Sequence, residues 1–282
     1  MTAVFLAFAI AAVLAIEGCA GGTSPSSAMT ITPSSAPAGL PGALWVPRTT
    51  DTFQWQLAGT PDRTATASVY DVDSFETPAT DIAALHAQGR HVVCYVNAGA
   101  YEGVRPDAAS FPKSVIGTAY EGYPDENWLD IRNIAALAPI MGARLDRCQA
   151  KGFDAVEPDN INGVENSTGF PLNGQDQIAY NTWFAGQTHA RGMSVALKND
   201  GEQSPPLLAS FDFVIAEECW FQKNCSAYVP FTNAKKAVFT VEYTDKMTSA
   251  QFHQNVCPAA TTAGVVAVLK HRNLDAYREV CP

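Results

Sequence analysis

"HVVCYVNAG", residues 91–99, passes from one apolar residue to the next without alternating and closes on Asn97 and Gly99. A strand with one wet face alternates apolar with polar side chains. An unbroken run suits a strand covered on both faces, as in a parallel sheet flanked by helices. Seven further runs share this character. "FQWQLAG" (53–59) and "ASVYDVD" (67–73) precede it, and "FDAVEPDN" (153–160), "MSVALKND" (193–200), "FDFVIAEE" (211–218), "KAVFTVEY" (236–243) and "GVVAVLKH" (264–271) follow.

Helical spacing fills the gaps. "DIAALHAQG" (81–89), "NIAALAPIMGARLDRCQAKG" (133–152) and "DQIAYNTWFAGQTHARG" (176–192) each end in glycine, which accepts the left-handed backbone of a helix C-terminus. Pro139 is expected to kink or split the second helix, and the third is expected to turn Ile178, Trp183 and Ala185 toward the core. Weaker helical segments are expected at 204–210, 225–236, 248–257 and 274–280. Strand–helix alternation implies parallel strands, and eight such units make one (β/α)8 TIM barrel, for which about 250 residues is typical. The first connection, "TPDRTATA", is too short for a helix, so the barrel is expected to be irregular at this first β–β junction. A doubly wound open sheet is the competing architecture. It calls for a glycine-rich phosphate turn, and neither GxGxxG nor GxxxxGK[ST] occurs.

The domain organisation follows from composition. "MTAVFLAFAIAAVLAIEGCAGG" opens with an apolar run too short for a membrane span, which reads as a signal peptide over 1–18. Residues 19–45 are rich in Ser, Pro, Ala and Gly and read as a tether, leaving 46–282 as the barrel domain. Cys19 closes the apolar segment as the lipidated cysteine of a bacterial lipoprotein does, although Glu17 and the lack of a preceding Lys or Arg depart from that pattern. The expected destination is therefore outside the cytoplasm, as a cell-envelope lipoprotein attached to the membrane through Cys19 or as a secreted monomer. An exported chain tends to pair its six remaining cysteines. Fifteen connectivities are open to them; Cys219–Cys225 closes a short loop, Cys257–Cys281 brackets the C-terminal segment, and Cys94–Cys148 is left. A net charge of −10 with no basic run argues against a nucleic-acid partner.

In a parallel barrel the reactive groups sit where the strands end and the βα loops converge. Those ends carry Trp55 and Gln56; Asp71 and Asp73; Tyr95 and Asn97; Glu157, Asp159 and Asn160; Lys198, Asn199 and Asp200; Glu217 and Glu218; Glu242 and Tyr243; Lys270 and His271. Carboxylates crowded on one rim repel each other, so a pocket, rather than the fold, needs them. No GxSxG elbow occurs, which disfavours acyl transfer. The five histidines are scattered without HExxH, so no metal or cofactor is expected, a metal held by carboxylates alone being the remaining option. Acids together with Trp55, Tyr95, Tyr101, Tyr123, Trp128, Trp220 and Tyr243 suit polysaccharide cleavage. Aromatic faces stack on sugars, and two carboxyls flank the scissile bond, one donating a proton and one ionised.

Several of these stretches together, "DAVEPDNING", "GFPLNGQDQIAYNTWFAGQTHARGMSVALKND", "FDFVIAEECW", "KAVFTVEY" and "VVCYVNAGAYE", resemble glycoside hydrolase family 114, from about Phe53 to Cys281. The resemblance implies an endo-α-1,4-polygalactosaminidase on a (β/α)8 barrel, with catalytic acids at Asp159 of "PDN" and at Glu217, two positions before Cys219. Glu218 would point the other way if Ile215 and Glu217 share a face. The expected roles are Asp159 as nucleophile and Glu217 as general acid/base of a retaining enzyme. Trp55, Asp71, Asp73, Tyr95, Asn97, Tyr101, Trp128, Glu157, Asn160, Lys198, Asp200 and Glu242 are candidates for substrate binding. Two other readings stand beside this one: a non-catalytic polysaccharide-binding barrel, and a metal-dependent hydrolase on the same fold. Deacetylated galactosamine polymers are polycations. An acidic cleft attracts them, so cleavage rates on such a polymer are expected to fall as ionic strength rises. Initial rates across a salt series check this, and a flat profile refutes it.

Overall fold

All eight expected strands form in the computed structural model, which describes residues 44–282, each trimmed to the core of its apolar run. The expected signal peptide, Cys19 and all of the tether but Leu44 and Trp45 lie outside the described residues. In chain order the strands are β1 (Phe53–Trp55), β2 (Val69–Asp73), β3 (His91–Asn97), β4 (Ala100–Glu102), β5 (Ile116–Tyr120), β6 (Tyr123–Leu129), β7 (Ala155–Asp159), β8 (Ser194–Lys198), β9 (Phe213–Glu217), β10 (Val238–Tyr243), β11 (Val266–Lys270) and β12 (Glu279–Val280). The helices are α1 (Ala79–His86), α2 (Ile134–Lys151), α3 (Gly174–His189), α4 (Ser204–Leu207), α5 (Val229–Asn233), α6 (Ser249–Gln251) and α7 (Cys257–Ala263). One sheet runs β1-β2-β3-β7-β8-β9-β10-β11-β12, parallel up to β11, in (β/α)8 order.

The two-sided burial explains the unbroken apolar runs. Phe53, Val69, Val93, Ala155, Ala196, Phe213, Ile215, Phe239, Val241 and Val268 fill the barrel interior. Their neighbours Val72, Cys94, Val156, Leu197, Val214 and Ala216 pack outward against Leu137, Met141, Leu145, Tyr180 and Phe184 of the helices. In α3 the fully buried apolar face is Tyr180, Phe184 and Ala185, whereas Ile178 and Trp183 are only partly buried. All three residues expected to face the core do pack against it, Ala185 fully and Ile178 and Trp183 from its edge.

Two departures bear on the site. The segment expected as a helix at 274–280 is instead irregular up to β12, which pairs antiparallel with β11 through Leu269 and Glu279. This strand occupies the edge of β11 that a fully laddered barrel would give to β1. The seam is stitched by Lys270 Nζ donating to Gln54 Oε1 (3.0 Å), by Gln54 Nε2 donating to Ala276 O (3.1 Å), and by the amides of Leu57 and Ala58 donating to Leu274 O. Second, β4, β5 and β6 form an antiparallel three-stranded insert in the order β4-β6-β5 after β3. Pro139 neither splits nor ends α2, which is continuous over Ile134–Lys151. It lies in the second turn, and the carbonyl it deprives belongs to the exposed Ala135, where water can satisfy it.

The disulfides are Cys94–Cys148, Cys219–Cys225 and Cys257–Cys281, as expected. Cys94–Cys148 joins β3 to α2 across a sequence separation of 54. Closing a loop of that length restricts the unfolded chain by about 4 kcal/mol in the chain-entropy account. The double variant Cys94→Ser/Cys148→Ser is therefore expected to unfold on the order of 10 °C lower in a thermal melt. An unchanged midpoint refutes that role.

Candidate active site

The C-terminal ends of β3, β7, β8, β9 and β10 deliver their inward-facing polar side chains to one cleft of about 720 Å³. Trp55, Tyr95, Tyr120, Tyr123, Tyr228 and Tyr243 supply its aromatic walls, and Asp159, Glu217, Glu218, Glu126 and Asp200 line it. The chain turns sharply as it leaves three of these strands. Asn160 after β7, Asn199 and Asp200 after β8, and Glu218 after β9 all adopt left-handed backbone with φ between 51° and 62°. Such conformations cost about 1 kcal/mol or more each in non-glycine residues and persist only where surroundings hold them. Gly99 is needed for a different reason: a Cβ there would stand 1.7 Å from the carbonyl oxygen of Asn160.

Lys198 sits at the centre. Its ammonium, on a side chain 1% exposed, lies 2.8 Å from Glu157 Oε1, 2.9 Å from Asp159 Oδ1 and 3.3 Å from Glu217 Oε2, over the Trp55 ring. Burial disfavours this charge, but attraction to Asp159, Glu157 and Glu217 outweighs it and holds the lysine well above its ordinary range. Asp159 is fully dressed: its Oδ1 also accepts the backbone N–H of Asn160 (2.9 Å), and its Oδ2 accepts the Tyr95 hydroxyl (2.8 Å). Glu217 accepts from the Tyr243 hydroxyl at Oε1 (2.5 Å) and from Asn199 Nδ2 at Oε2 (3.2 Å), while its own N–H donates to Asn199 Oδ1. Beneath them Asp71 and Glu157 are buried side by side. Burial, then repulsion from Glu157, pushes Asp71 well up, and burial pushes Glu157 up to about 7, so the pair retains a proton that exposed acids would release.

Glu217 and Ile215 do share the inner face, and Glu218 turns away to pair with Arg272, whose guanidinium covers the Tyr243 ring. Of the candidate binding residues, Trp55, Tyr95, Asn160 and Asp200 line the cleft. Glu157 and Asp71 lie below it, and Asn97 is a buried brace, accepting from Asn160 Nδ2 (3.1 Å) and donating to Glu126 (3.2 Å).

Four candidates are elsewhere. Asp73 binds Arg105 (2.6 Å) and caps the amides of Phe75 and Glu76. Tyr101 packs edge-on against Phe111. Trp128 is buried under Tyr120. Glu242 points outward and accepts the amides of Trp220 and Phe221. Each sits near a strand end, yet a neighbour in the outer layer or the insert claims it. Glu126, Tyr120, Tyr228 and Arg272 reach the cleft without having been singled out. The first two ride on the unforeseen insert, where the turn at Gly122 (φ 87°) was the available signal.

A cleft of paired carboxyls and aromatics over the C-terminal ends of a parallel barrel defines a glycoside hydrolase of (β/α)8 architecture. The chain belongs to glycoside-hydrolase family GH114, whose model matches residues 34–282. Ega3 of Aspergillus fumigatus, solved in complex with galactosamine, is 34% identical with a TM-score of 0.80, over 85% of this chain and 98% of that one. The glycoside hydrolase domain of PelA from Pseudomonas aeruginosa shares the fold at 13% identity and a TM-score of 0.66, over 82% of this chain and 98% of that one. A Deinococcus radiodurans protein described only as uncharacterized is 24% identical over 307 residues, 94% of this chain and 96% of its own length.

The buried acids set a pH dependence of stability. Burial raises Glu157, Glu126 and Glu242 to about 7 and Asp200 to about 8. Between the ordinary carboxyl range and those values the folded state binds protons that the unfolded chain has released, so stability falls as pH rises through that window. Asp130 bonded to Arg132, Asp275 bonded to His271 and Glu279 bonded to Ser249 are held low, so their contribution is lost as pH drops below the ordinary range. Thermal midpoints are expected to peak at about pH 5 and to decline toward pH 8. A maximum above pH 7 contradicts this.

Proposed function

We propose that this chain is an endo-acting glycoside hydrolase that cleaves α-1,4-linked galactosamine-containing polysaccharide with retention of configuration, using Asp159 and Glu217. One observation carries the reading: the Lys198 ammonium contacts both Asp159 (2.9 Å) and Glu217 (3.3 Å). The two contacted oxygens can be no farther apart than the sum of those lengths. Both acids therefore face one reacting centre, an arrangement that accommodates the roughly 5–5.5 Å between the carboxyls of a retaining pair.

Asp159 is the nucleophile. Its donors Lys198, Tyr95 and the Asn160 amide fix both oxygens in place. It attacks the anomeric carbon as the glycosidic bond breaks. The bonding pair leaves on the glycosidic oxygen, which takes a proton from Glu217. In the second half, water gives its proton to Glu217 and attacks the anomeric carbon, releasing Asp159. Lys198, neutralising Asp159 in the free enzyme, is a positioning residue, with Glu157 as its second anchor. The aromatic walls offer stacking surfaces for successive sugars. The galactosamine bound to Ega3 supports the substrate class. The three disulfides fit an oxidising compartment, and the reading includes an exported monomer, either released or held through a lipidated Cys19.

Asp159→Asn and Glu217→Gln are each expected to lower turnover on galactosamine polymer at least ~10²–10⁴-fold, with the circular dichroism spectrum unchanged. Near-normal reducing-end release by either variant overturns the assignment. Proton NMR of the first products should show the α-anomer, and β-product would establish inversion instead.

A further inference from the structure

The cleft holds a carboxylate that the reaction above does not use. Glu126, on β6 of the insert, is half-buried and lines the cleft. Lys198 neutralises Asp159 and Glu217, and Arg272 neutralises Glu218, but none of the described basic side chains forms an ion pair with Glu126. Its Oε2 accepts from Asn97 Nδ2 at 3.2 Å, and Oε1 has no hydrogen-bond partner among the described residues. Asn97 stands beside Asp159 in the β3–β7 ladder and also accepts from Asn160, so a single buried amide sets Glu126 against the reacting centre.

We infer that Glu126 receives the 2-ammonium group of the sugar bound against Asp159, forming a subsite that selects free galactosamine over its N-acetyl form. This rests on the substrate class proposed above. An ammonium brings three donors and no acceptor, and its bond to a carboxylate is charge-assisted. An acetamide is neutral, bulkier and presents a carbonyl oxygen that a carboxylate repels. The surroundings offer it no alternative counter-ion: Glu102 on β4 and Asp159 on β7 are themselves carboxyls, Tyr95 and Tyr123 are phenols, and Arg105 is bonded to Asp73 and Glu102. Burial, then Glu102 and Asp159, raises Glu126 to about 7. A bound cation favours its ionised form, so at neutral pH galactosamine binding releases protons from this group.

The test is calorimetric titration of the intact protein with galactosamine and with N-acetylgalactosamine in two buffers of different ionisation enthalpy. Wild type is expected to prefer galactosamine at least ~10-fold, with heats that differ between buffers. Glu126→Gln, which keeps the shape and removes the charge, is expected to erase both the preference and the part of the buffer dependence that comes from Glu126. Glu121→Gln removes the same charge at the tip of the insert and is expected to keep the preference. The inference is overturned if wild type shows no preference, if Glu126→Gln retains it, or if Glu121→Gln loses it equally. A Glu126-dependent preference in a protein that leaves galactosamine polymer uncut would refute the proposed reaction and not the subsite. Cleavage without such a preference would do the reverse.

Discussion

One buried ammonium organises this molecule. Lys198 is enclosed by barrel side chains and would be expelled or neutralised there without counter-charges. Glu157 meets it from within the barrel, and Asp159 and Glu217 meet it from the cleft. The same contacts that make the lysine tolerable hold two acids from separate strands at a common distance from one point. The site is therefore a product of charge compensation as much as of strand geometry. Asp71 and Glu157 below it retain a proton, which limits the negative charge left in the interior.

The remainder of the fold serves to hold that cluster still. Arg144, 1% exposed on α2, donates to the Asn97 carbonyl at 2.6 Å, and Tyr180 of α3 donates to the Ala98 carbonyl at 2.6 Å. Both bonds pin the end of β3, and from there Asn97 and Gly99 brace the turn after β7. Left-handed residues after β7, β8 and β9 then aim their neighbours at the cleft. Backbone strain at these turns is offset by hydrogen bonds such as the reciprocal pair between Asn199 and Glu217.

The barrel was legible in the sequence because its strands are buried on both faces and read as unbroken apolar runs. Strand parity also placed Glu217, and not Glu218, on the inner face, since a period of two is insensitive to small errors in strand ends. Elements outside the core were not legible. The insert β4–β6 shows mixed burial and no sustained period, so the Gly122 turn alone announced Glu126 and Tyr120. In α3 the apolar core-facing residues were legible, but Gln177, Asn181 and Thr188 are buried there too, each hydrogen-bonded, and no apolar pattern marks them. Asp73 ends its strand as Asp159 does, and only the position of Arg105, set by tertiary structure, removes it from the cleft, whereas Glu242 lies between the inward-facing Val241 and Tyr243 and is turned outward by parity.

The seam has a consequence for how the chain matures. β11 finds its second neighbour not in β1 but in β12, and Cys281 just beyond it is tied back to Cys257. The sheet therefore gains its last strand only when the segment running up to Cys281 has folded back onto β11. Any chain short of that segment leaves this edge of β11 uncovered, and the Cys257–Cys281 bond then fastens the late-arriving strand in place.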